Sequence, residues 1–443
     1  MSVSGHVFHR FPNSPLPIVQ NGDGPYIFDQ NGKQYLDACG GAAVSCLGHS
    51  DQRVIEAIKS QLDAIPFAHT AFFTNNAEEE LADFLAQKAP QGIERFYFLS
   101  GGSEANEAAL KMARQYFLEL GKPKKNKFIA RRQSYHGNTI GALSLGGNVA
   151  RRDFYEPLLR PTEFIAPCYA YRGQADFESE EEYASRLAQE FEDKILEMGA
   201  ENVAGFIAEP VVGATLGAVT AVRTYFKKIR AICDKYEILL ILDEIMCGSG
   251  RTGSLFACEQ EDVAPDMVSM AKGLGAGYQP VAALGVQTKI YDAIRQGSGF
   301  FRHGHTYVGH ATACAAALAT MKVIEQDGLL ENVKIQSTRL KALLKDVFSH
   351  NPHVGDIRGR GLFLGLELVD HKQNKEAFAA DKKISSKIKT QAMKNGLMCY
   401  PASGTVDGIK GDHILLAPPY IIKDHHCEEI VQKLEKTLDD ILH

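Results

Sequence analysis

The 443-residue sequence has no tryptophan, no CxxC pair and no apolar run near the roughly 18 residues of a membrane span. Its nine cysteines are scattered. Cys39, Cys233, Cys314 and Cys399 sit among apolar neighbours, the pattern of buried free thiols in a reducing compartment. The opening stretch MSVSGHVFHRFPNS lacks the apolar core of a secretory leader. A strong charge of either sign is missing too: the formal net charge is -6, which argues against nucleic acid as the main partner. The densest basic run, GKPKKNK at Gly121–Lys127, lies between a helix-like and a strand-like segment and reads as a solvated loop. These absences leave a soluble, cytoplasmic protein acting on small molecules, with no nucleic-acid or membrane partner.

Hydrophobic residues make up 45% of the chain and charged residues 23%, the balance of a globular protein. Single cores rarely grow past roughly 250–300 residues, so more than one domain is expected. Near the N-terminus, short runs at Tyr26–Asp29 and Gln34–Asp37 are separated by turn signals and read as hairpins. From Asp51 the apolar spacing becomes helical. The middle then alternates strand-like runs (RFYFLS, KFIARRQ, NVAGFIAEPVV, ILLILDEI, DMVSMAK, VAALGV) with helix-like ones, including one from about Ser103 to Leu120. That alternation predicts a layered α/β domain around a mostly parallel sheet. The last part reads as α+β: helices over about Ala311–Ser349, the strand GRGLFLGLELV, then helices in FAADKKISSKIKTQAMKNG and HCEEIVQKLEKTLDDIL.

Ligands of a parallel sheet collect beyond the carboxyl ends of its strands. The residues predicted there are Ser100–Ser103, Ser134–Gly137, Glu209, Asp243, Glu244 and Lys272. In SGGSEANEAALKMAR, Gly102 and Ser103 stand where a strand hands over to a helix; that spot serves as an anion cradle or as a plain helix cap. Asp243 and Glu244 end the most apolar strand, and a carboxylate buried there needs a donor or a cation. The following MCGSGRTG is too glycine-rich for a helix first turn, so one acid is expected to face a ligand, while Glu244 pairs with Arg251 or with local backbone. Lys272, 29 residues after Asp243, is the lone charge in SMAKGLGAGYQP. A buried, isolated lysine has a depressed pKa suited to Schiff-base formation. A nucleotide turn fits poorly, because no strand–GxGxxG–helix context surrounds the glycines and no GxxxxGK[ST] occurs. Pyridoxal 5'-phosphate uses all these features: an amine for its aldehyde, a cradle for its phosphate, a carboxylate for its ring nitrogen and an aromatic lid such as Tyr135.

The sequence resembles the class III pyridoxal-phosphate-dependent aminotransferases, which have the aspartate aminotransferase fold (fold type I). The matching pieces, in the family's order, are SGGSEANEAALKMAR, SYHGNTIGALS, AEPVVG, LDEIMCGSGRTG, MVSMAKGLGAGYQPVAA, HGHTYVGHATACAAAL and GRGLFLGLEL. The resemblance implies a large domain with a mostly parallel seven-stranded sheet, over residues 51–314, and a small α+β domain built from residues 1–50 and 315–443. It also implies a homodimer or higher homo-oligomer with shared active sites. Lys272 would bind the cofactor and later move a proton, and Asp243 would pair with the ring nitrogen. Ile245 and Tyr135 would flank the ring, and Gly102, Ser103 and Thr306 of the neighbouring subunit would bind the phosphate. Glu209 would lie near the phenolic oxygen or gate the substrate side, and His136 would orient Tyr135 and its loop.

The ending GDHILLAPP is similar to ω-amino acid and amine:pyruvate aminotransferases. The resemblance places Leu415 and Gly408 where relatives carry a substrate-binding arginine, leaving Lys410 or another arginine to substitute. Ala43 stands where amine-accepting relatives carry a large aromatic. Phe72 and Phe73 are candidate pocket walls. The expected reaction moves an amino group from an ω-amino acid or amine to a keto acid such as pyruvate, with ping-pong kinetics. The alternatives at the same site are α-amino acid transamination, decarboxylation-coupled transamination, racemisation and an aminomutase reaction. A silent binding protein would have no use for both Lys272 and Asp243.

Overall fold

The most apolar run of the chain becomes the middle of its largest sheet. In the computed structural model, which describes residues 6–442, the strand Leu239–Asp243 is buried along its whole length. The first five residues and His443, at the outer ends of the expected terminal segments, lie outside the described residues. Parallel strands Met267–Met270 and Val203–Ala208 flank the central one. Ala282–Gln287 and Ile93–Leu99 extend the sheet on the first side, and Lys127–Arg131 and Glu163–Ile165 on the second. The sheet is seven-stranded and mostly parallel. Ala282–Gln287 alone runs antiparallel to its neighbours. The reason is the short connection: residues 271–281 hold only a 3-10 turn, Lys272–Leu274, and a parallel crossover needs about a dozen residues or more.

Both faces of the central strand are covered, as its continuous apolar run requires. Leu239 and Ile241 pack with Ala105, Ala108, Ala109 and Met112 of the helix Gly102–Glu119, whose alanines let it lie close to the sheet. Leu240 and Leu242 face the opposite way, into a core with Tyr183, Leu187 and Phe191 of helix Glu180–Met198 and Phe226 and Ile229 of helix Tyr225–Lys235. Ser179 and Glu182 form a reciprocal cap at the start of Glu180–Met198.

Three smaller sheets complete the fold among the described residues, one of them only the strand pair Val211–Val212 and Val219–Thr220. The hairpin strands Tyr26–Asp29 and Gln34–Asp37 form where turn signals placed them, and Gln34–Asp37 pairs in parallel with Leu397–Met398. Residues from both ends of the chain therefore share one sheet. Val354–Arg360, Phe363–Leu368, Asp412–Leu416 and Tyr400–Ser403 form an antiparallel sheet beside it. Three predicted boundaries shift. GRGLFLGLELV is not one strand: it holds the end of Val354–Arg360, a turn, and Phe363–Leu368 folded back on it. The strand from Lys127 stops at Arg131, because Gln133 turns back at φ 61°. The helix in FAADKKISSKIKTQAMKNG begins only at Ile384, after Lys383 adopts a left-handed φ of 49°.

Candidate active site

Strand ends converge on a cavity of about 480 Å³ beyond the carboxyl edge of the large sheet. Gly102, Ser103, Tyr135, His136, Glu209, Asp243, Ile245 and Lys272 all line it. Thr306 does not: it is exposed on the segment between Phe301 and His310. Phe72 and Phe73 are likewise exposed and do not line the cavity.

Asp243 is the most heavily held of these groups. Its Oδ2 accepts hydrogen bonds from Asn106 Nδ2 at 2.8 Å and pairs with His136 Nδ1 at 2.8 Å, and its Oδ1 accepts from the Ile245 N–H at 3.1 Å. Three partners fix a buried carboxylate in one orientation at the cavity floor. His136 thus serves Asp243 directly, beyond the loop-orienting part the resemblance implied. Its carbonyl also accepts from Asn106 Nδ2 at 2.6 Å.

Glu209 caps the next strand. Its Oε1 accepts from the Tyr135 N–H at 3.0 Å and its Oε2 from the Gly213 N–H at 3.1 Å. Burial, with a smaller push from Asp243, raises its pKa against the opposing pull of His136 and the two backbone donors. Glu244 points away. It accepts from the backbone N–H groups of Ala257 at 2.5 Å and Cys258 at 2.8 Å, and burial raises its pKa to about 7. Of the two partners expected for Glu244 the backbone is the real one. Arg251 donates instead to the carbonyls of Leu362 and Pro418.

Lys272 opens the 3-10 turn at φ 48°, a left-handed conformation uncommon for a lysine. Burial lowers its pKa to about 8, and Arg151 pushes the same way, against the raising effect of Asp243 and Glu209. Opposite it, Gly102 begins the helix Gly102–Glu119. A Cβ on Gly102 would come within 2.6 Å of the Ile245 side chain. The Ser103 hydroxyl donates to Asn138 Oδ1 at 2.9 Å and accepts from the Asn138 N–H at 3.0 Å. Free backbone donors at a helix start, a hydroxyl and a glycine kept clear of side chain form an anion cradle.

These residues fit pyridoxal phosphate: an amine of lowered pKa, a braced carboxylate, an aromatic and an aliphatic wall, and the cradle share one cavity. His136, which lines the cavity, has its Nε2 buried without a hydrogen-bond partner, as a polar atom beside a bound group would be. The model of the family described as aminotransferase class-III matches residues 10–438.

The chain is a class-III aminotransferase.

Its pyridoxal-phosphate chemistry follows from that membership and from the fit of the cavity. It is 42% identical over 434 residues to an uncharacterized aminotransferase of Schizosaccharomyces pombe, spanning 98% of this chain and 95% of the relative. It is 38% identical to a gamma aminobutyrate transaminase of Solanum lycopersicum, across 98% of this chain and 82% of the relative. The crystal structure of an omega transaminase from Pseudomonas jessenii in complex with PMP superposes at a TM-score of 0.90 with 35% identity, covering 96% of this chain and 93% of that one.

Sequence reasoning missed three residues of this aminotransferase's site. Asn106 braces Asp243, and its one signal was an amide set among alanines on a helix face that packs on the sheet. Asn138 holds Ser103. Arg151 lies over Tyr135, its guanidinium carbon 4.4 Å from the ring centroid, and nothing in NVARRDF marks it.

Proposed function

We propose that this aminotransferase takes its amino group from an ω-amino acid or a simple amine and passes it to a small keto acid, pyruvate being the acceptor of choice. The observation that carries this reading is apolar: Leu415 is buried in a cluster with Ala43, Met246 and Phe363, so the position at which the resemblance puts an arginine in relatives that use α-amino acids offers no cation. The gamma aminobutyrate and omega transaminase relatives support the same donor class.

Pyridoxal phosphate, when bound, supplies a carbonyl that exchanges for an amine and a ring that accepts electron density from the substrate carbon. The chain's own residues do the rest. Gly102 and Ser103 would hold the phosphate. Asp243, fixed by Asn106, His136 and the Ile245 N–H, would keep a proton on the ring nitrogen. Tyr135 and Ile245 would confine the ring between them. Lys272 Nζ, with its pKa lowered to about 8, is a competent nucleophile near neutral pH and then the base that moves the proton from the donor's amine-bearing carbon. Glu209, anchored by two backbone N–H groups, would set the polarity on the substrate side.

The working unit is a homodimer. Thr306, exposed and outside its own chain's cavity, would complete the phosphate site of a second copy.

A donor–acceptor panel tests the reaction. β-Alanine, 4-aminobutyrate, taurine, alkyl diamines and α-amino acids are each paired with pyruvate or 2-oxoglutarate, and product formation is followed. Turnover of ω-amino acids or amines with pyruvate, with parallel-line ping-pong kinetics, is expected. Exclusive use of α-amino acids, or carbon dioxide release without an acceptor, would contradict it.

A further inference from the structure

A keto acid brings a carboxylate into the cavity, and a carboxylate leaving water needs a cation whose donors match it. Most cations packed around the cavity are already engaged. Arg131 donates to the Glu209 carbonyl, and Arg251 to the carbonyls of Leu362 and Pro418. Arg358 is paired with Asp356 and Glu367 and also bonds the carbonyls of Leu216 and Gly217. Leu415 and Gly408 carry no charge at all.

Arg151 is different. It is half-buried in the short helix Val149–Arg152, and among the described residues its side chain makes no hydrogen bond or ion pair but rests on the Tyr135 ring, 4.4 Å from its guanidinium carbon. Tyr135 is a wall of the cavity, and Arg151 stands just outside the lining, against that wall. A guanidinium resting against a ring keeps its N–H edge available for a planar, two-pronged acceptor. Its charge also reaches Lys272 in the cavity and the buried His413 outside the lining, lowering the proton affinity of both.

The surroundings hold this arginine in place. Asn148 Nδ2 donates to Gln133 Oε1 at 2.7 Å, and Gln133 Nε2 donates to the Gly404 carbonyl at 2.7 Å, tying the start of the short helix to the 404–411 loop. Gly408 of that loop lies directly on the helix: a Cβ there would meet Val149 Cβ and N at 3.3 Å. The contact is tight for a side chain at 408, whose φ of 92° disfavours one as well, and two residues along the helix from Val149 stands Arg151.

We infer that Arg151 is the carboxylate-binding residue of this site, gripping the carboxylate of pyruvate and of an ω-amino acid donor from the Tyr135 side. The inference rests on the keto-acid reading of the proposed function.

The test uses the cofactor-loaded enzyme and its Arg151→Gln and Arg151→Lys variants. Steady-state KM values are measured for pyruvate, for β-alanine and for propylamine, which has no carboxylate. Loss of charge-assisted hydrogen bonds raises the KM for pyruvate and β-alanine roughly tenfold to hundredfold in Arg151→Gln, and less in Arg151→Lys. The KM for propylamine moves far less. Propionate, which cannot react, is titrated in parallel by calorimetry and loses affinity in the same order. Equal losses for propylamine and pyruvate would reduce Arg151 to a prop for Tyr135 and overturn the inference, as would an unchanged pyruvate KM. If the unaltered enzyme transferred no amino group to pyruvate, the proposed function would fall, and the propionate titration would still decide whether Arg151 binds a carboxylate.

Discussion

Lys272 combines two costs that an ordinary lysine avoids. Its left-handed backbone costs on the order of 1–3 kcal/mol, and burial disfavours its charged form. Both follow from placing an amine that sheds its proton readily at the end of a strand in a cavity. The sign of the consequence is definite. Folded, the amine loses its proton at about 8, whereas in the unfolded chain it keeps it to about 10.5. The unfolded state therefore binds more protons across that window, so the apoprotein gains stability from this group as pH rises through it. Reactivity follows the same titration. The initial rate of pyridoxal phosphate uptake by the apoprotein, followed by its visible absorbance, is expected to climb through pH 8 and level off by about pH 9. A rate still climbing at pH 10.5 would mean an unperturbed lysine. This residue was legible in the sequence because it is a lone charge in a run of small side chains. Asn106 and Arg151 were not, since an amide on a helix and an arginine beside a second arginine have ordinary explanations until the fold sets them against Asp243 and Tyr135.

Elements were more legible than single residues wherever one physical signal governed them. Leu239–Asp243 is apolar throughout because helices cover both its faces, and the hairpin strands Tyr26–Asp29 and Gln34–Asp37 are fixed by the turns that flank them. Signals failed where tertiary contact decides. The pairing of Leu397–Met398 with Leu36–Asp37 spans most of the chain, and two residues carry no periodicity to announce it. The antiparallel sense of Ala282–Gln287 follows from the brevity of the preceding turn, yet its apolar run would suit either direction. That same turn carries Lys272, so the geometry that reverses the strand also presents the amine. Left-handed residues at Gln133 and Lys383 ended a strand and delayed a helix, and neither side chain advertises that conformation.

At the scale of the whole molecule, the cavity is assembled from parts that no single segment holds. The segments from Ser100, Tyr135, Glu209, Asp243 and Lys272 meet because a mostly parallel sheet aligns its strand ends on one edge. The exposed Thr306 extends that logic to a second chain: sedimentation at micromolar concentration is expected to give twice the chain mass, and a stable, active monomer would contradict the shared site. The central claim is narrower, that Lys272 is the residue which captures the cofactor covalently. Borohydride treatment of the reconstituted enzyme, followed by proteolysis and mass spectrometry, tests it most directly. The account predicts a phosphopyridoxyl mass on the peptide containing Lys272 and none in Lys272→Ala; a label on another lysine, or no label in a protein that has taken up the cofactor, would contradict it.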